Sequence, residues 1–544
     1  MLPRLTLPPS GAVLAGLCAV FIVPGLTGHD LWKTQDAIAL GIVHGMAVSG
    51  DLVVPRIAGE RWLYDQPLYH WVALGFGWAL KSVMQFHAAA RLASGTFVAA
   101  AFVLIYAAAR DWSDDVDTRR TTASAALLIL LGSIGLLVHA HEALPELASL
   151  AAMSGALAAL PFAARRPLLA GAAFGAALGL AFLAATWIAP IALAVAVALA
   201  HLACLEWRTR SGAVFLLVAL AVTVPVALSW PLALSLRSSA AFEEWRAILE
   251  LREATAPENF RHFVSTASWF TWPAWPLALW SAWSLRRRLG EPRLFVPGVT
   301  VALMIAGFIA WGPPQDENFV PLLAPLALFA AYGIFTLRRG AAAALDWFGA
   351  LSFAFFAGLV WLGYIAMLTG VPGPMARNFS RMAPGFVLHL RPLELVFALL
   401  LVLAWVYLVF FTDGSPLRSV ARWAGGIVLL WGTFAALWMP WVDYQKSYRS
   451  VAIALRAKLP AGTHCLAERF LGVSQAAALD YHGGIRTQSF DVLKPSACPV
   501  VLVQGSPKEE FAPLASSTVH WVKLADVGRP GDRSERYRLY RLQR

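Results

Sequence analysis

The chain has 544 residues, of which 59% are hydrophobic and only 14% are charged, and its mean hydropathy is +0.63. Soluble proteins carry roughly 25% charged residues, so this composition excludes a string of soluble domains, and it excludes disordered, collagenous and disulfide-scaffold chains as well. The net charge of +11 does not indicate nucleic-acid binding, because the basic residues occur mostly in short clusters between apolar runs. The composition predicts a polytopic membrane protein.

Apolar runs long enough to cross a bilayer recur along most of the chain. About thirteen spans of roughly 20 residues are predicted. They lie at residues 11–27, 92–109, 122–140, 146–164, 168–184, 186–204, 212–234, 270–285, 295–311, 319–336, 344–369, 393–411 and 424–442. Beyond residue 443 charged residues become more frequent and no apolar run is long enough to span. We therefore predict an all-α membrane domain at 1–443 and a small soluble domain at 444–544.

The orientation of the spans follows from their short loops. Arginine clusters such as 165–166, 286–288 and 338–339 fall on one side under this count, and Lys and Arg are enriched in cytoplasmic loops. The N-terminus is then predicted to be cytoplasmic. An odd number of spans places the C-terminal domain on the outer side of the membrane.

Three long loops are predicted on the outer side, at 28–91, 237–269 and 371–392. Within the first loop, residues 69–84 are apolar but contain His, Trp and Lys. A span there would invert every later loop, so this segment is predicted to lie in the interface as an amphipathic helix. Long loops on one side of a bundle are usually functional.

The C-terminal domain has the pattern of a small α/β sheet. Helical spacing covers 450–458, and strand patterns follow at 498–504, 520–524 and 535–542. The run at 498–504 is almost continuously apolar, as in a strand that is buried on both faces. No Gly-rich phosphate loop occurs, so a nucleotide site is not supported. Cys465 and Cys498 are the only cysteines outside the spans, and whether they form a disulfide is left open.

The distribution of charge excludes some function classes and points to one region. No Asp, Glu, Lys or Arg lies in the middle of a predicted span, which disfavours ion-coupled transporters and pumps. No internal repeat of the kind common in transporters is visible. Acidic residues lie instead at the outer ends of spans, with Asp36 after the first and Glu146 at the start of the fourth. A site at the outer membrane surface is predicted.

The first outer loop carries the most informative motif, between residues 29 and 71. It reads HDLWKTQDAIALGIVHGMAVSGDLVVPRIAGERWLYDQPLYHW: an acid beyond a span, a helix, SGD and VVP, a Gly turn and a Pro-aromatic segment. This resembles the first outer loop of the protein O-mannosyltransferase-like glycosyltransferases, the GT-C class that includes the bacterial lipid A aminoarabinose transferase. Ala90-Arg91-Leu92, Pro145-Glu146-Leu147 and the FVPLLAPLALFA of 319–330 also match.

The resemblance implies a GT-C-like fold and an integral-membrane glycosyltransferase. Its expected partners are a polyprenyl-phosphate sugar donor, membrane lipids, and an acceptor that is a lipid, an envelope glycan or a protein; nucleic acid is not expected. Such chemistry needs a carboxylate as general base and cations or a metal for the leaving phosphate. The cofactor is left open, a divalent metal included, and no metal ligands are assigned.

The candidate catalytic residues are Asp36 and Glu146, carried over from the family's first-loop acid pair and its fourth-span acid. Both are expected to line one outward-facing cavity. The variant Asp36→Asn is expected to abolish transfer and leave folding intact, since an exposed cavity acid contributes little to packing.

Departures from the family pattern concern the phosphate site. Gln35 replaces the first acid of the pair, and Asp65 replaces a phosphate-binding Lys. The nearest outer-loop substitutes, predicted to bind substrate together with Gln35 and Asp65, are Arg56, Arg61, Arg261 and His262. An alternative is also compatible with these changes: a non-catalytic relative that binds lipid-linked glycan or supports envelope assembly.

Overall fold

The computed structural model describes residues 6–113, 115–490, 498–508, 520–532 and 534–543. Most of these residues are helical. The first helices are α1 (Gly11–Ile22), α2 (Gln35–Ser49), α3 (Leu68–Leu80), α4 (Phe86–Asp111), α5 (Val116–Leu131), α6 (Ile134–His139), α7 (Pro145–Ala159), α8 (Pro167–Ala184), α9 (Ile188–Ala203) and α10 (Arg210–Arg237). The next are α11 (Ser239–Glu250), α12 (Ala256–Phe270), α13 (Ala274–Ser284), α14 (Pro292–Trp311), α15 (Leu323–Tyr332), α16 (Arg339–Thr369), α17 (Gly373–Met382), α18 (Pro392–Phe410), α19 (Arg418–Lys446), α20 (Arg449–Lys458) and α21 (Val473–Gly483).

Eight helices of the described chain are long and apolar enough to cross a membrane. They are α4, α7 with its 3₁₀ extension, α8, α10, α14, α16, α18, and α19 continued by α20. Two shorter apolar helices, α1 and α9, also fall on predicted spans. The other predicted spans correspond to shorter helices, as at 122–140, where the chain breaks at Gly132 and Ser133 between α5 and α6. The amphipathic segment predicted at 69–84 is α3.

Close helix packing in the bundle depends on small residues. Gly171, Gly175 and Gly179 recur every fourth residue and therefore share one face of α8. A Cβ added at Gly175 would lie 2.4 Å from the carbonyl oxygen of Ala219 on α10. Such stripes of small residues let membrane helices approach with backbones in contact.

The C-terminal region forms the predicted α/β sheet. Its strands are β3 (Leu466–Arg469), β4 (Gln488–Ser489), β5 (Val500–Gly505), β6 (His520–Gly528) and β7 (Arg536–Gln543), in the order β4-β3-β5-β7-β6. Strand β3 runs parallel to β4 and β5, and β7 runs antiparallel to β5 and β6. A separate hairpin, β1 (Arg56–Ile57) with β2 (Glu60–Arg61), lies in the first outer loop.

Two contacts hold the edges of this region. Cys465 and Cys498 form a disulfide, with their Cα atoms 5.1 Å apart. Helix α21 packs on α2, where a Cβ added at Gly41 would lie 2.6 Å from the Cβ of Ala477. The C-terminal region is thereby placed directly over the first outer loop.

Candidate active site

Asp36, in the first turn of α2, is the centre of a buried polar network. Its carboxylate accepts hydrogen bonds from the Arg91 guanidinium at 2.9 and 2.9 Å, from the Trp32 amide at 3.0 Å and from the Ala143 amide at 2.8 Å. Asp36 and Arg91 are 1% and 0% exposed. Burial alone would raise the pKa of Asp36, but the charge and hydrogen bonds of Arg91 hold that pKa below its usual value. The network ties α2 to α4 and to the start of α7.

This placement corrects the expectation that Asp36 lines an open cavity with Glu146. Every acceptor position of the Asp36 carboxylate is directed at a protein donor, so none is left for substrate. The premise that Asp36 is an exposed acid is also wrong, because the side chain is buried and paired with Arg91, so we expect Asp36→Asn to destabilise the fold. The catalytic role of Asp36 remains a prediction, and Asp36 is not among the residues that line the cavity described next.

A cavity of about 450 Å³ lies beside this network, between the starts of α2 and α7 and the loops at 62–66, 185–187 and 313–318. Its polar lining consists of Thr34, Gln35, Trp62, Asp65, Gln66, Glu146, Thr186, Glu253, Gln315 and Asn318. Its apolar lining includes Ile38, Trp187, Ile188, Ile248, Leu249, Leu251 and Trp311. The cavity therefore joins residues from several predicted outer loops.

Glu146 is the carboxylate most open to reaction in this cavity. It follows Pro145, which begins α7, and the N-terminus of a helix favours an acid. Glu146 is 9% exposed, yet its Oε2 has no hydrogen-bond partner in the described chain. A buried acceptor without a partner is costly, and it is available to a substrate hydroxyl.

Two further acids lie next to Glu146. Gln35 lines the cavity and donates its side-chain amide to Glu317, which is buried. Asp65 accepts a 2.7 Å hydrogen bond from the Trp62 indole. Burial raises the pKa of Asp65 to about 6, and the nearby Glu317 carboxylate adds to this, against the lowering effect of Trp62. The cavity is strongly acidic.

The predicted cationic substitutes are not among the residues that line the cavity. Arg56 donates to the backbone of Gly59 at 3.0 Å. Arg61 forms a 3.0 Å ion pair with Glu244.

The pair predicted from the second outer loop is also outside the lining. Arg261 is exposed on α12, and His262 contacts Asp316 at 3.4 Å. Neither side chain lines the cavity, so the structure does not bring this pair together with Gln35 and Asp65, the other predicted substrate-binding residues.

Sequence reasoning missed two residues near the cavity. Arg252 adjoins the lining residues Leu251 and Glu253, and its guanidinium lies 4.0 Å from the ring centroid of Trp311. Nothing in the sequence marks it, because it lies in an irregular linker. Glu317 could have been found, since the short loop between the predicted spans 295–311 and 319–336 contains two acids.

The acids of the cavity do not fit a metal centre. Among the described residues no group of three His, Cys, Asp or Glu side chains is arranged to hold a metal ion, and the acids that line the cavity form no such group.

A second cavity of about 270 Å³ continues from the first and is almost entirely apolar. Gln66, Ala185, Trp187 and Leu249 line both. Its own walls are Phe182, Leu183, Ile191, Ala227, Trp230, Pro231 and Trp245. A polar chamber joined to an apolar groove suits a ligand with a polar head and a hydrocarbon chain.

The C-terminal region holds the first outer loop in place beside these cavities. Asp30 accepts hydrogen bonds from the Arg449 Nε at 2.9 Å and from the Ser447 hydroxyl at 2.6 Å. Burial would raise the pKa of Asp30, but these bonds hold it below its usual value. The Trp32 indole donates to Asp443 at 2.9 Å. The loop that leads into α2 is thus fixed from both sides.

Comparisons with known proteins agree with the predicted family. No family model matches the chain. The undecaprenyl phosphate-alpha-4-amino-4-deoxy-L-arabinose arabinosyl transferase of Pseudomonas aeruginosa strain LESB58 is 29% identical over 493 residues, which cover 84% of this chain and 81% of that protein. The corresponding transferase 1 of Sodalis glossinidius is 30% identical over 345 residues, 58% of each protein. The resemblance to the GT-C glycosyltransferases that was predicted from the first outer loop is confirmed by these relatives.

Solved structures show that the fold of the chain is also similar to that of known proteins. Apo ArnT from Cupriavidus metallidurans matches with a TM-score of 0.69 and 17% identity, over 97% of both chains. ArnT from the same organism bound to undecaprenyl phosphate matches with a TM-score of 0.66 and 18% identity, over 97% of this chain and 96% of that one. The multi-pass membrane fold with a small C-terminal sheet is therefore that of this family.

Proposed function

We propose that this chain is a glycosyltransferase that moves a sugar from a polyprenyl-phosphate carrier to a lipid acceptor at the periplasmic face of a bacterial inner membrane. The observation that carries the proposal is the acidic cavity at Glu146, joined to an apolar groove. The names of the relatives support it, and so does the neighbour bound to undecaprenyl phosphate. Thirteen spans, a cytoplasmic N-terminus, and a membrane domain at 1–443 with a periplasmic domain at 444–544 are part of the proposal.

The carrier would place its prenyl chain in the apolar groove, against Trp230 and Trp245. Its phosphate would then lie where the groove meets the polar chamber, near Leu249 and Trp187. Arg252 adjoins the lining residues Leu251 and Glu253, and its guanidinium is held against Trp311. Guanidinium groups bind phosphate in a bidentate manner, so Arg252 is the residue that would stabilise the leaving phosphate.

Glu146 would act as general base toward an acceptor hydroxyl. The carboxylate takes the hydroxyl proton as the acceptor oxygen bonds to the anomeric carbon of the sugar, and the bond from that carbon to the phosphate oxygen breaks. The bonding electrons leave with the carrier phosphate. A positioned base typically contributes 10²–10⁴ in rate, and the unpartnered Oε2 of Glu146 leaves room for this contact.

The Asp36–Arg91 pair would serve as a positioning element. It locks the first turn of α2 to α4 and to the Ala143 amide, two residues before α7 begins. Gln35 and Glu146 are thereby both held in the lining of one cavity. A positioning role fits the geometry of Asp36 better than the catalytic role predicted from the motif.

The charge of the cavity affects which kind of sugar it would bind. Asp65, Glu146 and Glu253 line it, and Gln35 links it to Glu317. A cationic sugar would offset this negative charge, and the relatives are named for a 4-amino-4-deoxy-arabinose donor. An amino sugar is therefore the donor group that we propose.

The test is a transfer assay on the full chain in lipid nanodiscs. Undecaprenyl-phosphate 4-amino-4-deoxy-arabinose is supplied with lipid A, and products are measured by mass spectrometry. We expect glycosylated lipid and free undecaprenyl phosphate in equal amounts, and little turnover when the donor amine is acetylated. Donor binding without turnover for either donor would instead support the non-catalytic alternative.

A further inference from the structure

Helix α17 forms a basic surface at one end of the bundle that the proposed reaction does not use. It lies between α16, which ends at Thr369, and α18, which begins at Pro392. Both flanking helices are candidate membrane spans. The segment 370–391 that joins them must therefore lie at the membrane–water interface.

This segment carries only one sign of charge. It contains Arg377, Arg381 and Arg391 and has no Asp or Glu. Arg391 is 3.7 Å from Glu394 on α18. Arg377 and Arg381 are exposed, and over the ranges that the structure describes neither forms an ion pair or a side-chain hydrogen bond to another group.

The geometry of α17 presents these two arginines together. Residues four apart share one face of a helix, so Arg377 and Arg381 are neighbours. Phe379 is on the opposite face, and its ring packs against Trp438 at 5.2 Å and Trp441 at 5.0 Å between centroids. The packed face is thus held on α19, and the arginine face points away from the bundle.

Apolar side chains next to the arginine face are exposed as well. Val371, Met382, Val387 and Leu390 are 66%, 51%, 67% and 54% exposed. The neighbouring α18 has a single buried residue, which is typical of a helix that faces lipid. An interfacial helix with basic and apolar surfaces binds anionic membranes through both.

We propose that the arginine face of α17, defined by Arg377 and Arg381, binds the headgroups of anionic phospholipids in the bilayer around the protein. Each guanidinium group can bind phosphate oxygens in a bidentate manner, and the exposed apolar residues would contact the acyl chains below the headgroups. Under the proposed topology this loop is periplasmic. Arginines there run against the enrichment of basic residues in cytoplasmic loops, so topology alone does not account for them.

The experiment measures which lipids the full chain retains. Detergent-solubilised protein is equilibrated with equal amounts of phosphatidylglycerol and phosphatidylcholine, isolated, and its bound lipids are quantified by mass spectrometry. We expect a preference for phosphatidylglycerol that falls about tenfold in the double variant Arg377→Gln with Arg381→Gln, since each basic residue near an anionic surface contributes independently. The Lys double variant should keep most of the preference.

The matched control removes two charges elsewhere. Arg456 and Lys458 are exposed on α20, and their Gln double variant should retain the wild-type lipid ratio.

Raising the salt from about 0.05 to about 0.5 M should lower the preference of the wild type for phosphatidylglycerol by screening, and this measurement does not depend on the folding of any variant. Equal retention of both lipids by the wild type, or an unchanged ratio in the Arg377 and Arg381 variant, would overturn the proposal. Full displacement of the lipid by millimolar inorganic phosphate would point to a free-anion site instead.

Discussion

The starts of α2 and α7 each bury a carboxylate, and the two differ in what surrounds it. Asp36 receives four hydrogen bonds from the protein, two of them from a buried arginine. Glu146 has an oxygen with no partner in the described chain and lines a cavity. A carboxylate that the protein already satisfies maintains structure, whereas one left unsatisfied at a cavity is available to substrate. The comparison therefore gives Asp36 on α2 a structural role and Glu146 on α7 a chemical role.

The largest effect on stability should come from breaking the satisfied carboxylate. Asp36→Asn leaves Arg91 buried without its counter-charge, and breaking a buried pair costs about 3–5 kcal/mol. Chemical unfolding of the purified protein in detergent should show this loss near neutral pH. Because the pKa of Asp36 is held low, the wild type should lose the same contribution as the pH falls through that lowered pKa, and the variant should not. A variant as stable as the wild type at pH 7 would place Asp36 among the exposed acids instead.

A several-fold effect is expected at Asp65, which borders the chamber between the two helices. Its pKa is raised to about 6, so the side chain is protonated below that pH and negative above it. A negative Asp65 attracts the cationic amino group of the proposed donor sugar. The donor KM should therefore fall several-fold between pH 5 and pH 7.5, and this fall should be absent in Asp65→Asn. An identical pH dependence of the donor KM in the wild type and in Asp65→Asn would show that the charge of Asp65 does not affect donor binding.

The smallest effect should come from the contact between the first outer loop and the C-terminal region. Arg449 is 43% exposed in its pair with Asp30, and exposed pairs contribute about 1 kcal/mol or less. Arg449→Gln should lower the unfolding free energy by that order, well below Asp36→Asn. Comparable losses in the two variants, measured under the same conditions, would contradict the distinction between a buried and a half-exposed pair.

The fold class could be predicted from the composition of the sequence, and the C-terminal sheet could be predicted from one apolar run. The run at 498–504 became β5 (Val500–Gly505), because a continuous apolar stretch is stable only where both faces are covered. The thirteen predicted spans stay a prediction, since eight helices of the described chain are long enough to cross a membrane and some of the other predicted spans fall on shorter helices such as α5 and α15. Apolar character alone does not reveal where Gly132 and Ser133 interrupt a helix.

At the site the sequence located the acids but not their environments. Gln35, Asp65 and Glu146 do line one cavity. Asp36 was wrongly expected there, because its partner Arg91 lies 55 residues further along the chain and only tertiary packing brings the two together. Arg261 lies on α12 and does not line the cavity. Tertiary packing decides which face of α12 points toward the cavity, and no local sequence pattern specifies that packing.

The most direct test of the central claim is the transfer rate of Glu146→Gln, measured on the folded variant in nanodiscs with donor and acceptor at saturation. Gln keeps the size of the side chain and cannot accept the hydroxyl proton. The account predicts a rate about 10²–10⁴ lower than that of the wild type, with an unchanged unfolding free energy, while Glu142→Gln, at a half-buried acid outside the cavity lining, retains most activity. A Glu146→Gln protein that transfers sugar at the wild-type rate would contradict the account.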